Sequence, residues 1–431
     1  MAHKSHEKLL RYRWFIFATL AFAYLFVYFH RLSLSVVAEE LAKEFGTSAG
    51  ALGFLGSIYF YCYAFMQFPA GLLSDSIGPR KAVSAFTVVA AVGSILFGLA
   101  PNLRTAFAGR FLVGFGAAMV FIPTMKILSR WFHPKEFAFV SGILNAVGGL
   151  GILAATWLLA RWTTAFGWRV SFELIGGISL GIAALVWFVV RDRPEAKGWK
   201  PLTASSPVPQ ETQNPAAAIS LRQGIGHVLR SPQFWLFSLW SFVNYGIFFG
   251  FGALWSGPYL MHVYGMSREQ AGSVLSLIAW GMIFGSPALG FLSDRVFGSR
   301  KKPLIGCALA MTVELGLLRI FPSGLPSWAL MLFFLLFSIS SSSTVVIAFT
   351  AVKELFPIEI AGTALGSLNL FPFLGGAVAM PLLGRLLDRH ASTSTAFGYP
   401  LEAYTTLLSC LFFSSLVVLG CTFFMRETYK N

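Results

Sequence analysis

The feature that most constrains this chain is a series of twelve long apolar segments separated by short polar ones. A helix needs about 20 such residues to cross a bilayer core about 30 Å thick. The lengths of the segments, without strict alternation of apolar and polar residues, predict helices rather than the strands of a barrel. The segments lie near residues 14–37, 50–72, 82–100, 106–128, 138–160, 170–190, 233–262, 270–292, 303–321, 328–351, 362–386 and 402–425.

Composition excludes the other classes of protein that 431 residues could form. Hydrophobic residues make up 56% of the chain and charged residues 12%, whereas about 25% of residues are charged in an average soluble protein. The apolar content also excludes disorder and a small disulfide scaffold. The four cysteines lie inside apolar segments without the spacing of metal ligands, so we expect neither a metal nor a cofactor.

The polar segment 191–232 divides the apolar segments into two groups of six. Prolines at positions 194, 201, 207, 209 and 215, among Ser, Thr, Gln and charged residues, give it the composition of a flexible linker. Its end, residues 219–230, has the pattern of an amphipathic helix that lies on the membrane surface. We therefore predict an all-α membrane protein, with residues 1–190 as one six-helix bundle, the linker in the cytoplasm, and residues 233–431 as a second bundle.

The basic residues predict how the chain lies in the membrane. With both termini placed inside, most of the 32 Lys and Arg residues fall in inner segments, as the positive-inside rule requires. The net charge of +14 is therefore a signal of topology and of lipid contact, and we expect no nucleic-acid partner. The basic N-terminus lacks a signal-peptide cleavage site. We predict a multi-pass inner-membrane protein with both termini cytoplasmic.

An internal repeat supports the division into two halves. Residues 71–75 read Gly-Leu-Leu-Ser-Asp, and residues 290–294 read Gly-Phe-Leu-Ser-Asp. Each copy ends the second apolar segment of its half and precedes a glycine and a basic cluster. Asp75 and Asp294 therefore follow a helix end, where a carboxylate caps a neighbouring helix or pairs with an arginine. Duplicated halves are typical of alternating-access transporters.

These motifs resemble those of the major facilitator superfamily, and the resemblance covers nearly the whole chain. Residues 290–301 are similar to its signature loop, residues 110–116 to its fourth-span motif, and residues 353–364 to the loop before its eleventh span. The first copy of the loop departs from the pattern, because Ser76 stands where the family has an arginine. The resemblance implies two pseudo-symmetric bundles that rock around a central site. It also implies gating roles for Asp75, Arg80, Arg110, Asp294, Arg295 and Glu354.

Two basic residues within the apolar segments mark the predicted site. Arg31 lies in the first segment and Lys126 in the fourth, and neither has an acidic partner within its own helix. A charge within the membrane is costly and by default marks function. Two cations facing a watery cavity form an anion site, with Arg31 as a fork for a carboxylate or phosphate. For Lys126 the alternative is snorkelling to the interface, and for both residues it is pairing with a distant acid.

The first span resembles the organic-anion branch of the superfamily, which includes organophosphate antiporters and sugar-acid/proton symporters. Its members carry an arginine at the position of Arg31 and often a basic residue at Lys126. The antiporters have a second arginine where Asn244 stands, and the symporters have an aspartate where His30 stands. His30 is thus either a proton carrier or a hydrogen-bonded structural histidine. Tyr28, Asn244, Tyr245 and Asn369 complete the predicted substrate-binding set.

The leading prediction is a secondary transporter that moves a small organic anion, a carboxylate or sugar acid, with a proton as the coupling ion. The alternatives are an antiporter that exchanges a phosphorylated metabolite for another anion, and a transporter-like sensor. We expect no enzyme, because the sequence contains no nucleophile–base pair, metal cluster or phosphate loop. We expect the protein to act as a monomer.

Overall fold

The computed structural model describes residues 2–199, 221–390 and 399–429, and helices make up almost all of them. Half of the predicted linker, residues 200–220, lies outside the described residues. The predicted surface helix at its end begins within this gap, and its described part is a helix from Leu221 to Leu229.

The first half contains eight α-helices and three short segments of other helical types. The short segments are a 3₁₀ turn at Ser33–Val36, a π-helical turn at Ala154–Leu158 and a 3₁₀ turn at Pro194–Lys197. The α-helices are α1 (Ala2–Leu32), α2 (Ala38–Phe45), α3 (Ala49–Ile77), α4 (Pro79–Gly98), α5 (Leu103–Ala118), α6 (Phe121–Trp131), α7 (Pro134–Leu153) and α8 (Leu159–Val189).

The second half repeats this order with more interruptions. Two π-helical segments, Phe248–Trp255 and Leu292–Val296, continue α-helices without leaving the span. The α-helices are α9 (Leu221–Leu229), α10 (Pro232–Ile247), α11 (Ser256–Tyr264), α12 (Arg268–Leu275), α13 (Leu277–Phe291), α14 (Lys301–Ile320), α15 (Ser327–Ser341), α16 (Val345–Leu355), α17 (Ile358–Leu368), α18 (Leu370–Asp388) and α19 (Leu401–Phe424).

The number of spans depends on one glycine. Eleven continuous helical stretches of the described chain are long and apolar enough to cross a membrane, and one of them, Phe139–Val189, has 51 residues. That length is more than twice what one crossing needs. Gly167 interrupts the stretch with a φ of +77°, which residues with a Cβ rarely adopt. The stretch therefore contains two spans, and the chain crosses the membrane twelve times, as predicted.

The helix ends follow from local sequence. Ser48, Asn102 and Ser231 precede α3, α5 and α10, and each side chain accepts a hydrogen bond from a backbone N–H in the first turn. Such caps satisfy donors that have no partner within the helix. Proline occupies the first position of α4, where its missing N–H costs nothing.

The molecule has two polar faces, which we name by their residues. The terminal face carries the chain ends, with Arg13 and Glu136 in the first half and Arg300 and Glu427 in the second. Arg13 pairs with Glu136 at 2.7 Å within the first half. The ion pairs of Arg300 likewise remain within the second half. The charge contacts described on this face therefore hold each half together separately.

The distal face, on the opposite side, is closed by contacts between the halves. Arg268, the first residue of α12, forms an ion pair with Glu40 of α2. The Asp388 carboxylate at the end of α18 accepts hydrogen bonds from the backbone N–H groups of Ala49 at 2.8 Å and Gly50 at 2.7 Å. A carboxylate of the second half thus caps the first turn of α3 in the first half, where the helix dipole also favours it.

Several spans are interrupted near their middles. The fourth span breaks at residues 119–120 between α5 and α6, and the tenth at residues 342–344 between α15 and α16. An interrupted helix leaves backbone groups for other partners, and such breaks accompany binding sites in transporters. These breaks lie close to the residues of the predicted site.

Candidate functional site

Arg31 is the centre of the site. It is the penultimate residue of α1, and its side chain is buried, with 6% of the residue exposed. Its guanidinium carbon lies 4.2 Å from the ring centre of Tyr28, 4.9 Å from that of Tyr63 and 5.1 Å from that of Phe373. Tyr28 and Tyr63 belong to the first half and Phe373 to the second. The cation therefore lies at the boundary between the halves, inside an aromatic cage.

The cage contains no counter-ion for Arg31 among the described residues. The groups that act on the guanidinium are the tyrosines of the cage, including the hydroxyls of Tyr59 and Tyr63. The Nε atom of Arg31 is buried and has no hydrogen-bond partner. A buried cation without an acid nearby is electrostatically unsatisfied. The arrangement therefore favours binding of an anion.

His30 lies beside Arg31 and is also buried. Neither ring nitrogen has a hydrogen-bond partner among the described residues. Its backbone carbonyl accepts a hydrogen bond of 3.2 Å from Nη2 of Arg110. The sequence analysis gave a hydrogen-bonded structural histidine as one alternative for His30, but the described residues show no such hydrogen bond. The imidazole nitrogens remain available.

Arg110, for which the sequence analysis predicted a gating role, belongs to α5 in the fourth span. The residue is 1% exposed and lies inside the first half, with its guanidinium carbon 5.4 Å from the ring centre of Tyr59. Because Arg110 holds the backbone of His30, it supports the end of α1 that carries Arg31. The pattern in residues 110–116 did not show which way the side chain points.

Lys126 lies in α6, in the fourth span, and is partly exposed. The charges that act on it include those of Arg130 and Asp192, and the groups that act on Arg31 include the cage tyrosines. The pairing of Lys126 with Arg31 in one anion site stays a prediction.

The uncharged residues of the predicted set are engaged within the protein. The side-chain amide of Asn244 donates to the carbonyl of Ser341 at 3.0 Å, and the hydroxyl of Tyr245 donates to that of Ser342 at 3.2 Å. These carbonyls belong to the break in the tenth span. Asn369 donates to Oε1 of Gln67 at 2.9 Å and so joins the two halves. Tyr245 lies close enough to act electrostatically on the Arg31 cage.

The predicted gating residues fall into separate groups. Asp294 pairs with Arg300, and Arg300 also pairs with Glu354 at 2.9 Å. Arg295, for which the sequence analysis also predicted a gating role, is exposed instead. The reason is the π-helical segment, which turns Arg295 away while Ser293 and Arg300 face inward.

In the first half, the described contacts of the corresponding loop are those of Arg80. The backbone N–H of Arg80 donates to the Asp192 carboxylate at 2.7 Å, and its guanidinium carbon lies 4.7 Å from the Trp187 ring. The side chain of Asp75 lies outside the described residues, and its predicted gating role stays a prediction.

The pKa values of charged groups on the terminal face are shifted by such contacts. The hydrogen bond from Arg13 is the main reason why the pKa of Glu136 lies below its ordinary value. Burial alone would raise the pKa of Glu427, but hydrogen bonds from Ser299 and from backbone N–H groups outweigh it and hold this pKa at about 2. Burial likewise opposes the charge of Arg300, yet Glu354 and Asp294 raise its pKa.

Sequence reasoning missed three kinds of contributor. Tyr63 and Phe373 form two walls of the cage, and neither belongs to the predicted substrate-binding set. Arg300, rather than Arg295, carries the described ion pairs of the second half on the terminal face. Glu427 anchors the C-terminal segment, and nothing in its local sequence signals this contact.

The chain is similar to known proteins over most of its length. The profile of the Major Facilitator Superfamily matches residues 20–380. Three similar curated proteins are bacterial. They are the membrane sensor protein UhpC of Salmonella typhimurium (25% identical, covering 89% of this chain and 88% of its own length), the probable sulfoacetate transporter SauU of Cupriavidus necator (26%, 90% and 90%) and the hexuronate transporter of Bacillus subtilis (27%, 86% and 87%).

A solved structure shows the same fold. The bacterial homologue of the human lysosomal transporter Spinster, in an inward-facing and unoccupied conformation, is 17% identical and matches with a TM-score of 0.74 over 96% of each chain. With twelve spans, a duplicated loop motif and a central site between two halves, the chain belongs to the major facilitator superfamily and is a membrane-spanning transporter.

Proposed function

We propose that this transporter moves a small organic anion, a carboxylate, across the membrane by alternating access, with a proton as the coupling ion. The observation that carries the proposal is Arg31, a buried guanidinium between the halves that has no carboxylate partner among the described residues. Arginine presents two parallel N–H donors that match the two oxygens of a carboxylate. The substrate supplies the negative charge that the cage lacks.

The position of Arg31 links binding to movement of the halves. Two of the rings over the guanidinium belong to the first half and one, Phe373, belongs to the second. A rocking motion of the halves therefore changes which groups cover the cation. When an anion neutralises Arg31, the site closes around a neutral complex, which costs less than burying a lone charge. His30 beside it is the proposed proton carrier.

The relatives support this class of substrate. Their names describe transport of a sulfoacetate and of a hexuronate, both of which are organic anions. We place the protein in a bacterial inner membrane with both termini cytoplasmic, because the basic residues fall mainly on the terminal side. We propose that it acts as a monomer.

The test is uptake into proteoliposomes under an imposed proton gradient, with labelled monocarboxylates and sugar acids as substrates. We expect uptake by the native protein and at least about a hundredfold loss in Arg31→Ala, since a buried charge–carboxylate contact is removed. Arg319→Ala, which removes a cation bound to Ser409 at the far end of α14, is the matched control. Absence of uptake for all anions would overturn the proposal.

A sensor is the second candidate, and the similarity to UhpC, a membrane sensor protein, is the observation that favours it. A sensor binds the anion without carrying it. Ligand binding that depends on Arg31, together with no flux under any gradient, would support this alternative and contradict transport.

A further inference from the structure

The walls around Arg31 are aromatic on both sides of the boundary between the halves. The ring centres of Tyr63 in α3 and Phe373 in α18 are 4.2 Å apart, and those of Phe60 in α3 and Phe249 are 4.7 Å apart. Phe249 and Phe373 stack with a 16° angle between their planes. The surface that the second half presents to the cation is therefore built of flat hydrocarbon rings.

In the second half, hydroxyl groups of the tenth span already donate to the protein, whereas those of Ser238 and Ser241 in α10 are buried without a partner among the described residues. In the tenth span, Ser338 donates to the carbonyl of Ile278 at 2.7 Å, Ser343 to that of Gly281 at 3.2 Å and Ser340 to the Glu314 carboxylate at 3.0 Å. The amide of Asn244 and the hydroxyl of Tyr245 are engaged in the same way. The serine-rich segment thus holds helices together and offers few donors to a ligand.

This wall discriminates between two kinds of group that a carboxylate substrate can carry, a polyhydroxylated chain and a flat apolar ring. A polyhydroxylated chain would bury several hydroxyl groups against rings, and each buried hydroxyl without a partner costs free energy. A flat apolar body would lose no hydrogen bonds and would gain burial and ring stacking. The same rings also favour the guanidinium of Arg31, so they do not compete with the anion for it.

We propose that the substrate is a carboxylate with a flat apolar body, an aromatic acid rather than a sugar acid, and that its ring enters between Tyr63 and Phe373. The inference rests on the proposed function, since it takes Arg31 as the group that binds the carboxylate. Tyr63 and Phe373 touch across the boundary between the halves. When the halves separate, each ring loses its partner, and the ring of the substrate replaces it.

The test is isothermal titration calorimetry of the full-length protein in detergent, with benzoate and glucuronate as probes. We expect benzoate to bind at least about tenfold more tightly than glucuronate. Phe373→Leu is expected to weaken benzoate binding about five- to tenfold, because it keeps the apolar volume and removes the stacking ring. Phe373→Tyr, which keeps the ring, is expected to retain the affinity of the native protein.

Two further variants make the result independent of one position. Phe249→Leu removes the second ring of the wall and is expected to act like Phe373→Leu. Phe337→Leu is the matched control, since its buried ring packs against Phe248 and Phe251 in the core of the second half. It is expected to leave benzoate affinity unchanged.

The outcomes separate the two proposals. Tighter binding of glucuronate than of benzoate, with Phe373→Leu and Phe249→Leu equal to the native protein, overturns the aromatic substrate. If Arg31→Ala abolishes that binding, the proposed function stands. If neither anion binds and Arg31→Ala changes nothing, the proposed function fails as well.

Discussion

At the scale of single residues, the main finding is that Arg31, a buried cation between the halves, has no acid beside it among the described residues. Arg13, Arg169, Arg268 and Arg300 all pair with carboxylates in the described structure, and all of them lie toward the membrane surfaces. Arg31 lies between the halves and meets aromatic rings instead. Arg110 is also buried without an acid among the described residues, but it lies inside the first half and donates to the carbonyl of His30, so Arg31 is the one of the two that lies at the boundary between the halves.

His30 provides the prediction at this scale. A protonated imidazole beside Arg31 and Arg110 is opposed by two charges of like sign, and a bound anion offsets them. Replacing His30 by Gln should therefore abolish the stimulation of uptake by an inward proton gradient. The measurement is initial uptake rate between pH 5.5 and 8, with substrate held constant.

His390→Gln is the control for this experiment, because His390 lies at the end of α18 with its ring bound to the carbonyl of Leu386. It should keep the native pH profile. An unchanged pH profile in His30→Gln would exclude this histidine from proton coupling.

At the scale of elements, an acid just past the last span of each half caps the third span of that half. Asp192 follows α8 and accepts from the N–H of Arg80 at 2.7 Å, next to the start of α4. Glu427 follows α19 and accepts from the N–H of Arg300 at 2.9 Å and of Lys301 at 3.3 Å, at the start of α14. The duplicated architecture therefore extends to its caps, which the loop motif alone did not reveal.

Replacing Glu427 by Gln should lower the melting temperature of the protein in detergent by about 1–3 °C, since a cap contributes about 1 kcal/mol. Glu402→Gln changes an exposed glutamate in the first turn of α19 and should shift the melting temperature less. Equal melting temperatures for Glu427→Gln and the native protein would show that the cap contributes nothing.

The difference in melting temperature between the native protein and Glu427→Gln should also depend on pH. The pKa of Glu427 is about 2 in the folded protein against an ordinary 4.5, so the carboxylate stabilises the fold fully above about pH 4.5. This contribution is lost as the pH falls from there toward 2. The difference in melting temperature between native protein and Glu427→Gln should therefore shrink between pH 5 and pH 3. A difference independent of pH would contradict this origin.

At the scale of the whole molecule, closure of the distal face depends on backbones that touch across the halves. A Cβ atom on Gly257 would lie 1.8 Å from the carbonyl oxygen of Ser35, and one on Gly384 would lie 2.3 Å from that of Ala49. In both pairs one residue belongs to each half. The halves can reach this conformation because these positions have no side chain.

Replacing Gly257 by Ala should therefore shift the protein toward conformations with an open distal face. The measurement is the distance between spin labels on Lys43→Cys and Glu269→Cys, in a chain whose four native cysteines are changed to Ser. Both positions lie on the distal side, one in each half, and we expect the distance to lengthen. Gly420→Ala, where a Cβ would meet nothing within 4 Å, is the control. An unchanged distance in Gly257→Ala would contradict the role of this contact.

The sequence by itself determined the architecture, because the membrane imposes a length and a polarity on every span. It also determined that Arg31 matters, since a charge within a span is rare and costly. Even Gly167, which separates two spans, stands between apolar segments that the sequence had already divided.

Only the tertiary structure decided what surrounds Arg31 and which charges meet. The cage joins residues of α1, α3 and α18, which are far apart in the chain, and no local spacing encodes their approach. The direction of a side chain on a membrane helix depends on local winding and on neighbouring helices. For that reason Arg110 lies inside its half, and Arg300 rather than Arg295 binds Asp294.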